Sequence, residues 1–296
     1  MRTDGDSWDI VTSVGLTALG VAAFRALESN DPDGLIRDDY APWFVAAADE
    51  PHFVQLLADP AAAGPRERFG RFMGVRTRFF DEFFAAAWTS GVRQAVILAA
   101  GLDARAYRLD WPADMVVYEI DQPLVLEFKH RVLADHRAVP AAERRAIAVD
   151  LRDDWPYALA AAGFDPARPT VWSAEGLLPF LPGAAHDALF TRIDARSAPG
   201  SSVAADEFTG RVDPATFAAL EDKYFGSNPF GTVDIGDLWY DDPREDPADL
   251  LSRRGWNVHT ANPFDLAAEY GRAVDDLPPE LRGLTERMEY VTAEKT

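Results

Sequence analysis

The order of apolar and polar positions changes character near Gly91. Before it, apolar residues recur at helical spacing and predict helices over about 9–29, 41–58 and 65–88, broken at Asp31-Pro32-Asp33-Gly34 and at Asp59-Pro60. The third helix carries Phe69, Met73, Phe80, Phe83 and Ala87 as a stripe, widened by Phe72, Phe79 and Phe84. Arg76 falls on the same spacing. Either it snorkels from the stripe's edge to water, or it holds a guanidinium where the helix meets a cleft, ready for a carboxylate. After Gly91, short apolar runs at 95–100, 116–121, 146–150, 170–174 and 202–205 read as buried strands. Helical segments over 123–133, 155–163 and 184–196 separate several of them. That alternation predicts an α/β fold with a doubly wound, mostly parallel sheet. Residues 209–250 interrupt the rhythm, and 256–260 and 288–293 are candidate closing strands.

Composition narrows the chemistry. In 296 residues, 29 Lys and Arg face 49 Asp and Glu, a formal charge of −20 that counts against nucleic acid or an anionic membrane as partner. The absence of cysteine removes disulfides, thiolate metal sites and Cys nucleophiles. The five histidines show no metal-ligand spacing, so no metal is expected. The apolar stretch at 10–24 is too short to span a bilayer, and acids (Asp4, Asp6, Asp9) precede it, the wrong sign for a secretory leader. A cytoplasmic protein is expected.

In an open α/β sheet the ligand lies beyond the carboxyl ends of the strands. The first strand runs into Gly101, the second ends at Asp121, the third at Asp150-Leu151, and the fourth runs into Glu175. Asp121 lies where such folds place the acid that grips ribose hydroxyls, while Asp150 and Leu151 suit the edge and face of a base. A single strand-end acid commonly caps the next helix, but a glycine or acid at four successive strand ends points to a nucleoside site. A dinucleotide needs G-x-G-x-x-G, and here Ala99 and Ala104 flank Gly101, so NAD is disfavoured; no P-loop occurs. A ligand without phosphate, such as S-adenosyl-L-methionine, asks less of that turn.

The segment Val96-Ile-Leu-Ala-Ala-Gly-Leu-Asp-Ala-Arg-Ala-Tyr-Arg-Leu109 resembles the signature of the leucine carboxyl methyltransferase-like family. The likeness continues through Tyr118–Pro123, Val149–Leu151 and Ser173–Pro179, and upstream Val75–Asp81 is similar to the family's Arg-Thr helix. It is nearest to the actinobacterial branch of S-adenosyl-L-methionine-dependent methyltransferases. The resemblance implies a Rossmann-like methyltransferase sheet and cofactor contacts at Asp121, Asp150, Leu151 and Glu175, with the Gly101 turn beneath the methionine moiety. Family members often carry glycine where Ala99 stands.

One domain over 1–296 is expected: a helical cap (1–90), a cofactor-binding core (91–208), an insertion or lid (209–250) and closing strands (251–296). The expected reaction is O-methylation of a carboxylate or hydroxyl on a small molecule. No general base is evident beside the fourth strand, which favours a carboxylate held by Arg76, or by Arg71 as the fallback. Arg76 is equally a candidate for the cofactor's own carboxylate. His186 is expected on a helix surface. The catalytic residues are not assigned, and a protein C-terminal carboxylate or a non-catalytic cofactor-binding role are the alternatives. Seven acids within 234–249 read as a solvated loop, or as a lid because Phe225, Phe230, Leu238, Trp239 and Tyr240 accompany them.

Overall fold

Among the described residues, four helices and not three precede the sheet. The computed structural model describes residues 7–59, 65–209, 219–220, 223, 235–272 and 277–296. Helix α1 (Ser13–Asn30) starts later than the apolar pattern, because Asp9 and Thr12 close a turn on each other. Gly15 lets that turn sit on the helix start: a Cβ there would lie 1.8 Å from the Asp9 carbonyl oxygen. The segment expected as one helix over 41–58 is two, α2 (Ala41–Ala48) and α3 (Pro51–Ala58). Pro51 cannot donate into a continuing helix; Asp49 turns left-handed at φ +51° and the Glu50 carboxylate caps the Phe53 N–H at 3.0 Å. Helix α4 (Pro65–Thr89) runs unbroken, with Phe72, Val75, Phe80 and Phe84 buried.

The apolar runs after Gly91 form the expected parallel strands β1 (Gln94–Leu98), β2 (Val116–Asp121), β3 (Glu143–Ala148), β4 (Val171–Ala174) and β5 (Ser202–Phe208). With β6 (Trp256–Ala261) and β7 (Met288–Lys295) they make one sheet in the order β3-β2-β1-β4-β5-β7-β6. Strand β7 is antiparallel to both β5 and β6. Strand β3 begins three residues before the apolar run, with Glu143, Arg144 and Arg145, since an edge strand tolerates charge that a central one does not.

Helices α5 (Arg105–Arg108), α6 (Pro123–Asp135), α7 (Trp155–Ala161) and α8 (Gly183–Asp194) follow β1, β2, β3 and β4. Shorter helices α9 (Pro247–Arg253), α10 (Pro263–Glu269) and α11 (Pro279–Thr285) lie among the closing strands. Trp155, Leu159, Trp172 and Phe190 fill one core, Phe84, Ile97, Trp111 and Val117 another. Helices α1 to α3 share a third with Leu102 and with Val125, Phe128 and Val132 of α6. The N-terminal helices therefore rest beside the turn after β1. Arg25 of α1 pins them there, pairing with Asp38 at 2.9 Å and donating to the Leu102 carbonyl at 2.6 Å. Among the described residues no helix is long and apolar enough to cross a membrane.

Candidate functional site

The chain reverses direction across the sheet between β1 and β4, where β1 pairs with β2 on one side and β4 on the other. Loops diverge at such a point and leave a crevice. A cavity of about 270 Å³ opens there. The ends of β1, β2, β4 and β5 line it, with α1 and α4 alongside. It brings together every residue singled out in the sequence for the cofactor: Arg76, Gly101, Asp121, Asp150, Leu151 and Glu175. Arg71 is not among the lining residues.

The turn after β1 has two left-handed residues, Ala99 (φ +52°) and Gly101 (φ +45°). At Gly101 a Cβ would also press Ala18 of α1 at 3.2 Å, so glycine serves both the backbone and the seating of the helix. Ala99 occupies a conformation that L residues adopt at a cost of roughly 1–2 kcal/mol. The Asp121 carboxylate accepts the Gly101 N–H and the Gln122 N–H, each at 2.6 Å. Burial raises its carboxyl to about 6 even though both N–H bonds favour the charged form. Asp121 itself lines the cavity.

Beyond β3, Asp150 takes the Arg152 backbone N–H on Oδ1 and its guanidinium on Oδ2, each at 2.7 Å, and the Gln122 amide also donates to Oδ2. Arg152 lies over the Trp8 ring, 5.6 Å from its centroid. Buried Leu151 supplies the apolar contact. Trp8, Gln122 and Arg152 are not singled out in the sequence; Gln122 and Arg152 flank residues that are, and nothing in the sequence points to Trp8.

The opposite end is an ion-pair network. Arg76 is buried, which discards snorkelling, and its guanidinium meets carboxylates of the chain itself: Glu175 at 3.0 Å and Asp206 at 3.5 Å. Glu175 is bridged on its other oxygen by Arg105 at 2.7 Å. Arg105 also pairs with Asp103 and with Asp81 at 2.6 Å, and Asp81 takes Arg108 at 2.6 Å. Desolvation works against ionised Asp103, yet Arg105 and its neighbouring cations hold that carboxyl down at about 2. Asp206, raised by burial, accepts the Gly176 N–H at 2.6 Å. Among the described residues, four carboxylates here (Asp81, Asp103, Glu175, Asp206) pair with three guanidiniums (Arg76, Arg105, Arg108), one negative charge in excess.

His186 is not on the surface. It is fully buried against Phe190, its Nδ1 lies 3.0 Å from Asp187, and burial lowers its pKa. What covers it explains the difference: Glu245 N–H donates to Asp187 at 3.0 Å, while Arg244 donates to the Leu178 carbonyl at 2.8 Å and Tyr240 N–H to Pro179 at 2.9 Å. The acid-rich segment is thus docked on the start of α8 where described, with Asp241, Asp242 and Glu245 exposed and Leu238 buried. Trp239 lines the cavity. Phe225, Phe230 and Asp234 lie outside the described residues.

A strand-edge crevice on a sheet of this order defines a Rossmann-like α/β fold. The crystal structure of a DUF574 family protein from Streptomyces avermitilis shares it, with a TM-score of 0.54 at 15% identity, covering 93% of this chain and 97% of that one. The leucine carboxyl methyltransferase profile matches residues 18–194. A protein from Rhodococcus jostii is 65% identical over 295 residues, covering 100% of both chains. One from Mycobacteroides abscessus is 54% identical over 295 residues, covering 99% of this chain and 96% of its own. Both bear the name "Putative S-adenosyl-L-methionine-dependent methyltransferase". The chain belongs to the leucine carboxyl methyltransferase family. It is an S-adenosyl-L-methionine-dependent methyltransferase.

Proposed function

We propose that the protein methylates an oxygen atom of an apolar small molecule, and that Asp121, Asp150, Leu151, Glu175, Arg76 and the Gly101 turn hold the cofactor. One observation carries this reading: a single cavity joins the Gly101–Asp121 end, rich in polar partners, to an end lined by Phe180, Leu181, Phe208, Trp239, Leu284 and Met288. The donor set suits S-adenosyl-L-methionine. Asp121 has lone pairs left for a ribose diol, Leu151 offers a flat apolar contact for adenine, and the negative excess around Glu175 suits an ammonium beside a sulfonium. Arg76 lines the cavity with its Nη2 outside the bonds to Glu175 and Asp206, which supports a part in holding the carboxylate of the methionine moiety.

When bound, the cofactor supplies a methyl group on a sulfonium, already an activated leaving group. The chain's part is alignment and exclusion of water, and alignment alone accounts for about 7–11 kcal/mol of barrier in well-oriented reactions. Trp239 and the docked segment that carries it would close the apolar end as a lid.

Calorimetry with S-adenosylhomocysteine and with NAD tests the site. S-adenosylhomocysteine should bind the wild type saturably, and Asp121→Ala should weaken it by about 1.5–3 kcal/mol, the range for a hydrogen bond to a charged group. Binding of NAD alone, or an Asp121→Ala variant with undiminished affinity, would refute the assignment. Turnover is read by transfer of a labelled methyl group to an extract of small metabolites.

A further inference from the structure

Glu207 is an ionisable side chain at this cavity that neither the cofactor assignment nor the ion pairs described above use. It follows Asp206 near the end of β5 and lines the same cavity beside Phe208, whose ring lies 5.3 Å from that of Trp239. Its Oε1 is buried and accepts no hydrogen bond from the described residues. The residue as a whole is half-buried, and a carboxylate oxygen buried for stability alone is paired. Its surroundings are acidic instead: Asp206 precedes it, Glu289 stands opposite it in the β5–β7 register, and Asp246 lies before α9. Among the described residues the cation that bears on it is Arg244, whose guanidinium donates to the Leu178 and Tyr240 carbonyls. The guanidiniums that line the cavity, Arg25, Arg76 and Arg152, each face a carboxylate of the chain.

That arrangement repels an anionic acceptor and leaves an unused proton acceptor beside an apolar wall. We propose that Glu207 takes the proton from an uncharged hydroxyl of the methyl acceptor, and that the acceptor is a phenol- or enol-type alcohol on an apolar body, not a carboxylate. The proposal rests on the O-methylation reading above and names its substrate class. The acceptor oxygen's lone pair forms the new O–CH₃ bond as the methyl–sulfur bond breaks, the bonding pair stays on sulfur, and the hydroxyl proton passes to the Glu207 carboxylate. Burial, then Asp246, Glu289 and Asp206, raise the Glu207 carboxyl to about 8. A base of that strength suits a phenol, with a pKa of about 10, far better than an alkanol.

The test uses full-length protein saturated with S-adenosylhomocysteine and three probes on one apolar body: 4-pentylphenol, 4-pentylbenzoate and 4-pentylbenzylamine. By calorimetry at about pH 9, where Glu207 is ionised, the phenol should bind at least about tenfold tighter than the benzoate, since a like charge across the cavity is costly. In the wild type, benzoate affinity should fall as pH rises through about 8. In Glu207→Gln that pH dependence should vanish and the benzoate should bind more tightly, a gain that a merely structural glutamate would not produce. Equal or tighter binding of benzoate to the wild type, preference for the amine, an unchanged phenol-to-benzoate ratio in Glu207→Gln, or no binding of any probe would each overturn the proposal. A protein that fails to bind S-adenosylhomocysteine in the first titration would overturn the cofactor assignment as well, so the two failures are distinguishable.

Discussion

Asp121 ends β2 with its charge buried, solvated by two backbone N–H groups in place of bulk water. Those two bonds do not offset desolvation, and the carboxyl titrates at about 6. Because the folded pKa lies above the unfolded value, this residue's contribution to stability is fully present below about pH 4 and is lost as pH rises through about 6. Ligand binding runs the other way. Ribose hydroxyls need the ionised form as acceptor, so S-adenosylhomocysteine affinity should be flat above about pH 7 and fall close to tenfold per unit below about 6. Asp121→Asn should remove that slope. Calorimetry across the pH range reads it, and a flat wild-type profile would rule out the ribose contact at Asp121. This residue was legible in the sequence because strand-end acids follow a spacing rule. Glu207 was not: the fifth apolar run stops at Ala205, and an acid two places on looks like any solvated loop residue. Only the β5–β7 pairing, which carries the strand on to Phe208, shows that it stays in the sheet.

At the level of elements, β2, β3 and α6 are held together by a buried triad. Glu119 of β2 takes Lys129 of α6 and Arg144 of β3, each at 2.7 Å, with all three side chains nearly or wholly buried. Glu119→Leu would leave two cations facing each other without a counter-charge, and should cost about 3–5 kcal/mol of unfolding free energy. Adding Lys129→Met should recover much of that loss, because one of the stranded charges is gone and Arg144 lies nearer solvent. Urea denaturation of the single and double variants measures both steps; a single variant as stable as the wild type would show that the triad only sets register. Element positions followed the sequence closely where one strong principle acted alone. Strands β1 and β2 were legible as unbroken apolar runs, and Pro51 was a visible break that the longer apolar pattern overrode. The start of β3 and the burial of His186 were not legible. Each depends on a partner far along the chain: Glu119 for Arg144, and the 240–245 segment for the helix face that carries His186.

For the whole molecule, the question is which electrostatic effect wins. The formal charge of −20 makes the folded surface repel itself, while many arginines sit in ion pairs that favour folding. Salt acts on these unequally. The screening length is about 10 Å at 0.1 M salt, so it weakens repulsion between exposed acids such as Asp241, Asp242 and Glu245. It reaches the Arg76–Glu175–Arg105 network far less, because those side chains are 3–12% exposed. Added sodium chloride should therefore stabilise the protein: raising it from about 0.02 to 0.3 M should lift Tm by at least about 2 °C, the shift expected for roughly 1 kcal/mol in a chain of this size. Thermal unfolding followed by circular dichroism at fixed pH reads the trend. A falling Tm would mean that exposed ion pairs, not self-repulsion, dominate the surface. The same reasoning separates surface from site, since an uncharged phenol entering an apolar pocket gains nothing from the long-range field that salt removes.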